Sequence, residues 1–364
     1  MRTLAKKHLL WRSGSIILIL SAFPVFVCAQ QDSSHATSHA TAQKKTHKSA
    51  KSAEATVFHE DWTTPSLATS TLKPDVPVLG QRDDVPENNF IRERFQLRWR
   101  PGDPMDVYVI RPRGVAKPPV VLYLYAVPQD TDRFKNDRWC AQVIADGYAA
   151  IGFVSAITGH RAEHRPLKEW FVSELQESLA TSAHDVQMIL NYLDTRGDLD
   201  MNRVGMFGQG SGGTIAILAS AADPRIKVLD VLTPWGDWPT WLAKSTVVPD
   251  EERAKYLTPE FLERVAPLEP AVVLAKVQAR NVRLQNVRKE AKMPDGSQER
   301  LEAAAPEITE IDQYGDGRAL YPMAAGGKLF DWLKVHLKSD TATPVSTAKS
   351  ERIHFYPGHP DSIR

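Results

Sequence analysis

The fold is decided by the stretch Asp198-Leu-Asp-Met-Asn-Arg-Val-Gly-Met-Phe-Gly-Gln-Gly-Ser-Gly-Gly-Thr-Ile-Ala216. Its middle, at 203–207, has the apolar composition of a buried strand, and an apolar helical pattern follows the glycines. The segment between this strand and this helix contains Gly208, Gly210 and Gly212. Because these positions lack side chains, strand and helix can approach closely, and the segment predicts a sharp strand-to-helix turn.

Strands alternate with helices on both sides of this turn. Apolar and alternating runs predict six strands as far as the middle of the chain, at 95–99, 106–111, 119–125, 148–154, 203–207 and 227–233. Helical spacing at 182–195 separates two of them, and a helical insert at 250–276 follows the sixth strand. This repeated alternation predicts an α/β fold, with a doubly wound, mostly parallel sheet and helices on both of its faces.

The turn resembles the nucleophile elbow of the α/β-hydrolases, particularly the dienelactone-hydrolase and prolyl-oligopeptidase-like branches. Those branches have the pattern D-x-x-R-[IV]-G-x-x-G-x-(nucleophile)-x-G-G, and this chain matches it from Asp200 to Gly213. The resemblance implies an α/β-hydrolase domain at 57–340. It also implies the activity of the family, the hydrolysis of carboxylic esters or peptides.

The position of the nucleophile departs from the family pattern. Relatives carry Ser, Cys or Asp there, whereas Gly210 has no side chain with which to attack a substrate. Ser211 is the nearest alternative, although a side chain one residue later points about 100° around the helix. Ser211 is therefore either a displaced nucleophile or a helix-start residue whose hydroxyl satisfies a free backbone N–H.

The other two triad positions are also altered. The family acid follows the next-to-last strand, and laying the phrase at 282–294 on the family pattern places Glu290 at or near it; the alternative is an exposed glutamate. The family histidine follows the last strand, predicted at 308–311, but the loop there contains none and Asp316 stands in its place. A serine hydroxyl without an imidazole has no ordinary general base.

Other histidines are candidates for that base. His160 and His164 follow the strand at 148–154, on the carboxyl side of the sheet, where sites of such folds lie. His354 and His359 come after the terminal helix predicted at 328–337, so they require the tail to fold back. Each of these histidines remains a hypothesis.

The oxyanion side of the site is better preserved. Relatives place a second N–H donor in the loop after the strand at 119–125, where Ala126 or Val127 can supply it from the backbone. Trp235 and Trp238 follow the sixth strand, close to the expected site. They either line an apolar pocket or anchor the helical insert by packing.

Two functions follow, and the sequence leaves both open. The first is an exported hydrolase that attacks esters or peptides through Ser211, with Glu290 or a loop histidine assisting. The second is an inactive hydrolase-fold protein that binds a small molecule or a partner in the retained pocket. Lys plus Arg (45) nearly balances Asp plus Glu (44), so the charge does not indicate nucleic-acid binding. No metal-ligand cluster or cofactor fingerprint is recognisable, and we predict neither metal nor cofactor.

The two ends of the chain have compositions of their own. A basic leader, a short apolar run and small residues before Gln30 predict a signal peptide at 1–29, cleaved after Ala29. We expect the mature protein to be secreted or periplasmic, without a stable membrane span. Residues 30–56 read as a disordered linker, 57–90 begin the domain as an irregular wrap, and 341–364 form a C-terminal tail.

Overall fold

The structure is a computed structural model that describes residues 67, 72–75, 77–129, 131–156, 158–164, 171–338 and 348–358. The predicted signal peptide and the predicted linker lie outside the described residues. Among the helices within them, none is both long and apolar enough to cross a membrane.

One ten-stranded sheet runs through the described part of the chain. Its strands are β1 (Val78–Val85), β2 (Phe90–Leu97), β3 (Met105–Pro112), β4 (Pro119–Leu124), β5 (Ala149–Phe153), β6 (Asp200–Gln209), β7 (Ile226–Leu232), β8 (Asn281–Val287), β9 (Thr309–Tyr314) and β10 (Ile353–Tyr356). Their order is β1-β2-β3-β5-β4-β6-β7-β8-β9-β10. Neighbours from β5 to β10 are parallel, while the pairs β1–β2, β2–β3 and β3–β5 are antiparallel. The predicted α/β class with a mostly parallel sheet is confirmed.

Helices cover both faces of this sheet. They are α1 (Asp137–Ile144), α2 (Gly159–His164), α3 (Phe171–Asp194), α4 (Ser211–Ala222), α5 (Trp238–Lys244), α6 (Arg253–Tyr256), α7 (Pro259–Val265), α8 (Pro270–Val273), α9 (Asp295–Ala304), α10 (Gly317–Ala325) and α11 (Asp331–Lys338). Successive side chains of β4 enter two different apolar clusters, Val120 and Leu122 on the side of α3 and α4, Val121 and Tyr123 on the side of α1 and α11. This alternation explains why the strand reads as continuously apolar.

The first strand corrects the prediction of an irregular wrap. β1 pairs with β2 at one edge of the sheet, and cross-strand ion pairs join Arg82 to Glu93 (3.1 Å) and Arg92 to Asp83 (3.3 Å). An edge strand needs backbone bonds to one neighbour alone, and charged side chains are common there. Its sequence therefore lacks the apolar alternation by which strands are recognised.

The strand predicted at 308–311 is not the last strand of the sheet, as the edge opposite β1 shows. The strand expected at 308–311 is β9, but it is followed across the sheet by β10, which lies in the tail beyond α11. Tyr356 of β10 stacks on Tyr314 of β9, with ring centroids 4.8 Å apart. A four-residue strand is too short to give a periodic signal, so its place in the sheet was not predicted from the sequence.

The helical insert begins earlier than predicted. α5 starts at Trp238, directly after the Thr233-Pro-Trp-Gly-Asp segment that follows β7, and α6, α7 and α8 continue the insert. Trp241 is completely buried in α5, and Pro239 stands in the first turn of the helix, where proline is tolerated. The insert thus packs on the domain directly beyond the carboxyl end of β7.

A buried ionic cluster holds α3 against the loop before β3. Asp185 accepts hydrogen bonds from Trp99 Nε1 (2.8 Å), from Arg161 Nη1 (2.7 Å) and from Arg100. Burial alone would raise the pKa of Asp185, but the attraction of Arg161 and Arg100 outweighs it and lowers the pKa to about 2. The helix starts at Phe171, well before the predicted 182, because polar residues are buried along its first turns and obscure the apolar period.

Candidate functional site

The chain turns sharply between β6 and α4. β6 ends at Gln209, α4 begins at Ser211, and Gly210 between them has φ 56° and ψ −121°. Residues with a Cβ rarely adopt this backbone conformation, whereas glycine does so at little cost. The β6–α4 turn predicted from the glycines is therefore present at the carboxyl end of a central parallel strand.

Two flanking glycines allow the backbones to meet at this turn. A Cβ on Gly208 would lie 2.3 Å from the carbonyl oxygen of Gly212, and a Cβ on Gly212 would lie 2.2 Å from the carbonyl oxygen of Leu124. Both distances are far below van der Waals contact, and the obstacle in each case is backbone. Neither glycine can be replaced without a shift of a strand or a helix.

The space beside Gly210 is closed. A Cβ at this position would lie 2.9 Å from Ala126 Cβ and 3.3 Å from Trp235 Nε1, and Gly210 itself is buried. Of the residues predicted to form the site, Ala126 and Trp235 are thus brought to Gly210. They meet it as packing partners, in the volume that an attacking side chain would need.

Ser211 is also enclosed. Its side chain belongs to a residue that is 1% exposed, and its Oγ accepts a hydrogen bond from the backbone N–H of Val127 at 3.0 Å. The predicted alternative nucleophile and the predicted oxyanion donor are therefore brought together and bonded to each other. Among the described residues, no histidine or carboxylate is hydrogen-bonded to this hydroxyl.

The segment 233–238, which we call the cover segment, lies over the turn. The N–H of Trp235 donates to the Gly210 carbonyl (3.3 Å), and the Thr214 hydroxyl donates to the Trp235 carbonyl (2.6 Å). Trp235 packs on Trp241, with centroids 5.4 Å apart. Thr233 has φ 44°, an outlier for a β-branched residue. The cover segment is thus held down by backbone bonds and by aromatic packing.

The predicted acid is not brought to the turn. Glu290 lies in the loop between β8 and α9, where its Oε1 accepts a hydrogen bond from the N–H of Lys292, two residues away. Asp316, which stands where relatives have the histidine, caps α10 by accepting from the N–H groups of Arg318 and Ala319 at 3.0 Å. Both carboxylates thus have local structural partners.

The histidines whose rings are described have partners elsewhere. His160 Nε2 lies 2.9 Å from the Pro104 carbonyl, and His336 Nδ1 lies 2.7 Å from the Trp332 carbonyl. His354 Nδ1 lies 2.9 Å from Asp312 Oδ1, where β10 runs beside β9. His359 lies outside the described residues, and so does the side chain of His164.

Sequence reasoning missed a buried ionic network across three strands. Arg283 of β8 donates to Asp230 of β7 (2.8 Å), to Asp312 of β9 (3.2 Å) and to the Leu329 carbonyl (2.7 Å). Burial raises the pKa of Asp230, and the adjacent guanidinium only partly offsets it. The unusual polarity of β8 in the sequence was the available signal for this network, which ties the strands together.

A second feature missed from the sequence is a cavity of about 450 Å³ in the insert. This insert groove is lined by Asp237, Trp238, Pro239, Leu262, Ala266, Glu269, Ala271, Val272, Arg300, Ala303 and Ala304. Trp238, predicted as a pocket residue, thus lines a cavity of the insert. The phrase Trp235-Gly-Asp-Trp-Pro239 was the available signal, but its partners come from α7, α8 and α9.

The sheet order, the helices on both faces and the glycine turn after a central strand define the class of the protein. It has the fold of the α/β-hydrolase superfamily, as the turn sequence predicted. No protein-family model and no curated protein matches the chain. A likeness of the fold is instead found among solved structures.

Three of these structures illustrate the likeness. The acetyl xylan esterase from Paenibacillus sp. R4 superposes with a TM-score of 0.57 at 15% identity, covering 74% of this chain and 92% of the esterase. Acetyl xylan esterase 1 from Thermoanaerobacterium sp. JW/SL YS485 gives 0.53 at 13% identity, with 74% and 91% covered. Acylaminoacyl peptidase from Pyrococcus horikoshii gives 0.55 at 14% identity, covering 72% of this chain and 44% of the peptidase. Structural neighbours of this chain are thus esterases and peptidases, and at these identities the likeness concerns the fold.

Proposed function

We propose that this protein is a non-hydrolytic member of the fold that acts by binding a ligand. The observation that carries this proposal is the hydrogen bond from the Val127 N–H to Ser211 Oγ. Next to it, Ala126 and Trp235 fill the space beside Gly210. This arrangement supports a turn at which Ser211 and Val127 satisfy each other and at which the space for a side chain on Gly210 is already occupied.

Acyl transfer by a serine needs three things together. It needs an exposed nucleophile, a base that accepts its proton, and free N–H donors for the oxyanion. Here Gly210 has no nucleophile, the hydroxyl of Ser211 is buried without a basic partner among the described residues, and the N–H of Val127 is already bonded to that hydroxyl. Breaking the Ser211–Val127 bond would free the hydroxyl and the N–H together, but it would add no base, so this rearrangement alone does not restore the reaction.

The alternative is an exported hydrolase of esters or peptides that works through Ser211 with Glu290 or a loop histidine. It would need Ser211 Oγ to leave Val127 and the cover segment to move away. The two functions give opposite results with a fluorophosphonate probe and with a panel of p-nitrophenyl esters and peptide p-nitroanilides. We expect neither labelling nor turnover above the buffer rate.

Two buried serines of α4 provide the matched variants. Ser211→Ala removes the hydroxyl at the turn, and Ser220→Ala removes one that lies farther along the same helix. Labelling of the wild type that is lost in Ser211→Ala and retained in Ser220→Ala would overturn the non-hydrolytic proposal.

The proposed site of action is outside the cytoplasm, on the strength of the leader at 1–29. Expression of the full chain in a bacterium, followed by fractionation and mass spectrometry, tests this. We expect a mature chain that begins at Gln30 in the periplasm or the medium. An unprocessed chain confined to the cytoplasm would contradict it.

A further inference from the structure

The insert groove has the size of a small-molecule site. Its volume of about 450 Å³ falls within the range usual for ligand pockets. It lies between α5, α7, α8 and α9, so several rigid elements define its walls. A ligand bound there would meet side chains from different parts of the insert.

The groove contains charges of both signs that have no ion-pair partner. The carboxylate of Asp237 and the guanidinium of Arg300 form no hydrogen bond and no ion pair with any residue that the structure describes. Arg300 is exposed on α9 and Asp237 is partly exposed, so a ligand in the groove can reach both charges. One unpaired negative and one unpaired positive group in the same cavity are complementary to a ligand that carries both charges.

Trp238 contributes an apolar part of the wall. It is 1% exposed, and its indole Nε1, which has no hydrogen-bond acceptor among the described residues, is itself buried from solvent. Because a ligand in the open groove does not reach that N–H, the ring offers packing surface and no hydrogen-bond donor.

Glu269 holds these groups in place. Its carboxylate accepts hydrogen bonds from the backbone N–H groups of Asp237 (2.8 Å), Trp238 (2.6 Å) and Ala271 (3.0 Å). The backbone of Asp237 has φ 55°, which an aspartate tolerates better than most residues. Glu269 is thus a positioning residue that fixes the wall of the groove, with its oxygens occupied by the chain itself.

The remaining wall is apolar and partly open to solvent. Leu262 and Val272 line it together with small alanine side chains, and Val272 is 53% exposed. Exposed aliphatic surface beside unpaired charges favours a ligand that has an apolar side chain between polar ends.

We infer that the insert groove binds a short zwitterionic peptide with apolar side chains. Its ammonium group pairs with Asp237, its carboxylate pairs with Arg300, and a side chain packs on Leu262 and Val272. This assignment rests on the proposed binding function and names the ligand class for it.

Calorimetry on the full chain tests the assignment with leucyl-leucine as the probe. N-acetyl-leucyl-leucine lacks the ammonium group, and leucyl-leucinamide lacks the carboxylate. We expect each of these to bind about tenfold more weakly than leucyl-leucine, because each loses one charge-assisted contact.

Variants connect each loss to one side chain. In Arg300→Gln, leucyl-leucine and leucyl-leucinamide should bind equally, and in Asp237→Asn, leucyl-leucine and its N-acetyl form should bind equally. Arg318→Gln on α10 removes an exposed arginine away from the groove and should change nothing.

The outcomes separate this assignment from the proposed function. Absence of leucyl-leucine binding, or binding that Arg300→Gln and Asp237→Asn leave unchanged, overturns the peptide assignment even if the protein hydrolyses nothing. Binding that follows the variants as described, accompanied by cleavage of esters or of the dipeptide, supports the groove and overturns the non-hydrolytic function.

Discussion

The cover segment contributes residues to two regions that differ in whether their polar groups are bonded to other residues. At the β6–α4 turn, Trp235 closes the space beside Gly210, and Ser211 and Val127 satisfy each other. In the insert groove, two residues farther on, the carboxylate of Asp237 forms no hydrogen bond and no ion pair with any described residue, and the same holds for the guanidinium of Arg300.

This difference shows where binding can occur. Buried polar groups that bond to each other leave nothing for a ligand to gain, whereas unsatisfied groups in an open cavity gain from any molecule that complements them. Packing requires the backbone geometry of the turn, and this requirement does not depend on hydrolytic activity. In our proposal the groove has the binding role, and the turn has a structural one.

The largest expected effect comes from filling the turn. Gly212→Ala places a Cβ 2.2 Å from the Leu124 carbonyl, so we expect a loss of about 3 kcal/mol or more of unfolding free energy, measured by urea denaturation. Gly296→Ala in α9 is the control, because its nearest neighbour would be 3.8 Å away and alanine favours a helix. Equal stability of the two variants would show that the turn is not tightly packed.

The next effect comes from restoring a nucleophile. Gly210→Ser forces a Cβ against Ala126 at a φ of 56°, and we expect destabilisation of about 2 kcal/mol in thermal or urea unfolding. Ala126→Gly in the same chain should recover part of this loss by removing the nearest atom. Ester turnover should stay at the buffer rate in both variants, because no described histidine or carboxylate is hydrogen-bonded at the turn. Strong turnover would mean that a base reaches it.

On the groove side, Glu269→Gln replaces an acceptor of three backbone N–H groups with an amide. We expect a loss of about 1.5 kcal/mol at neutral pH. Burial raises the pKa of Glu269, and its bonds to the N–H groups of Trp238, Ala271 and Asp237 only partly offset the rise.

The pH dependence of that variant sharpens the comparison. Because the pKa is higher in the folded chain, the stability that this group contributes is fully present below its ordinary value of 4.5 and is lost as the pH rises through the folded pKa. The stability difference between wild type and Glu269→Gln should therefore narrow from acid to neutral pH. Glu299→Gln, exposed on α9, should give neither a loss nor this trend.

The smallest effect distinguishes two serines of one helix. Ser211→Ala leaves the Val127 N–H without its acceptor, and we expect a loss of about 1 kcal/mol in urea denaturation. Ser220 Oγ is buried without a hydrogen-bond partner among the described residues, so Ser220→Ala should be neutral or slightly stabilising. The reverse order would contradict the hydrogen bond at the turn.

Local pattern predicted most of the sheet and failed at its edges. Strands such as β4 and β7 are buried on both faces, so their apolar runs are visible in the sequence. β1 is charged and pairs with β2, which follows it after four residues, whereas β10 has only four residues and pairs with β9, from which α10 and α11 separate it. Pairing of this kind leaves little trace in the residues themselves.

Of the candidate site, only the backbone geometry of the turn could be predicted from the sequence. The glycines of the turn are required locally, and their spacing identified it. Whether Ser211 faces a base or an amide depends on Val127, 84 positions earlier, and the role of Trp238 depends on Glu269, 31 positions later. Neither contact has a local signature.

By itself, the sequence determined the α/β class, the parallel sheet and the sharp turn at Gly210, because periodicity and glycine spacing are local requirements of backbone geometry. Only the tertiary structure decided that Ala126 and Trp235 close the turn, that Glu290 lies in a loop of its own, and that an open cavity forms within the insert. These outcomes result from packing between segments that are distant in sequence, so the role of a side chain depends on which residues it contacts.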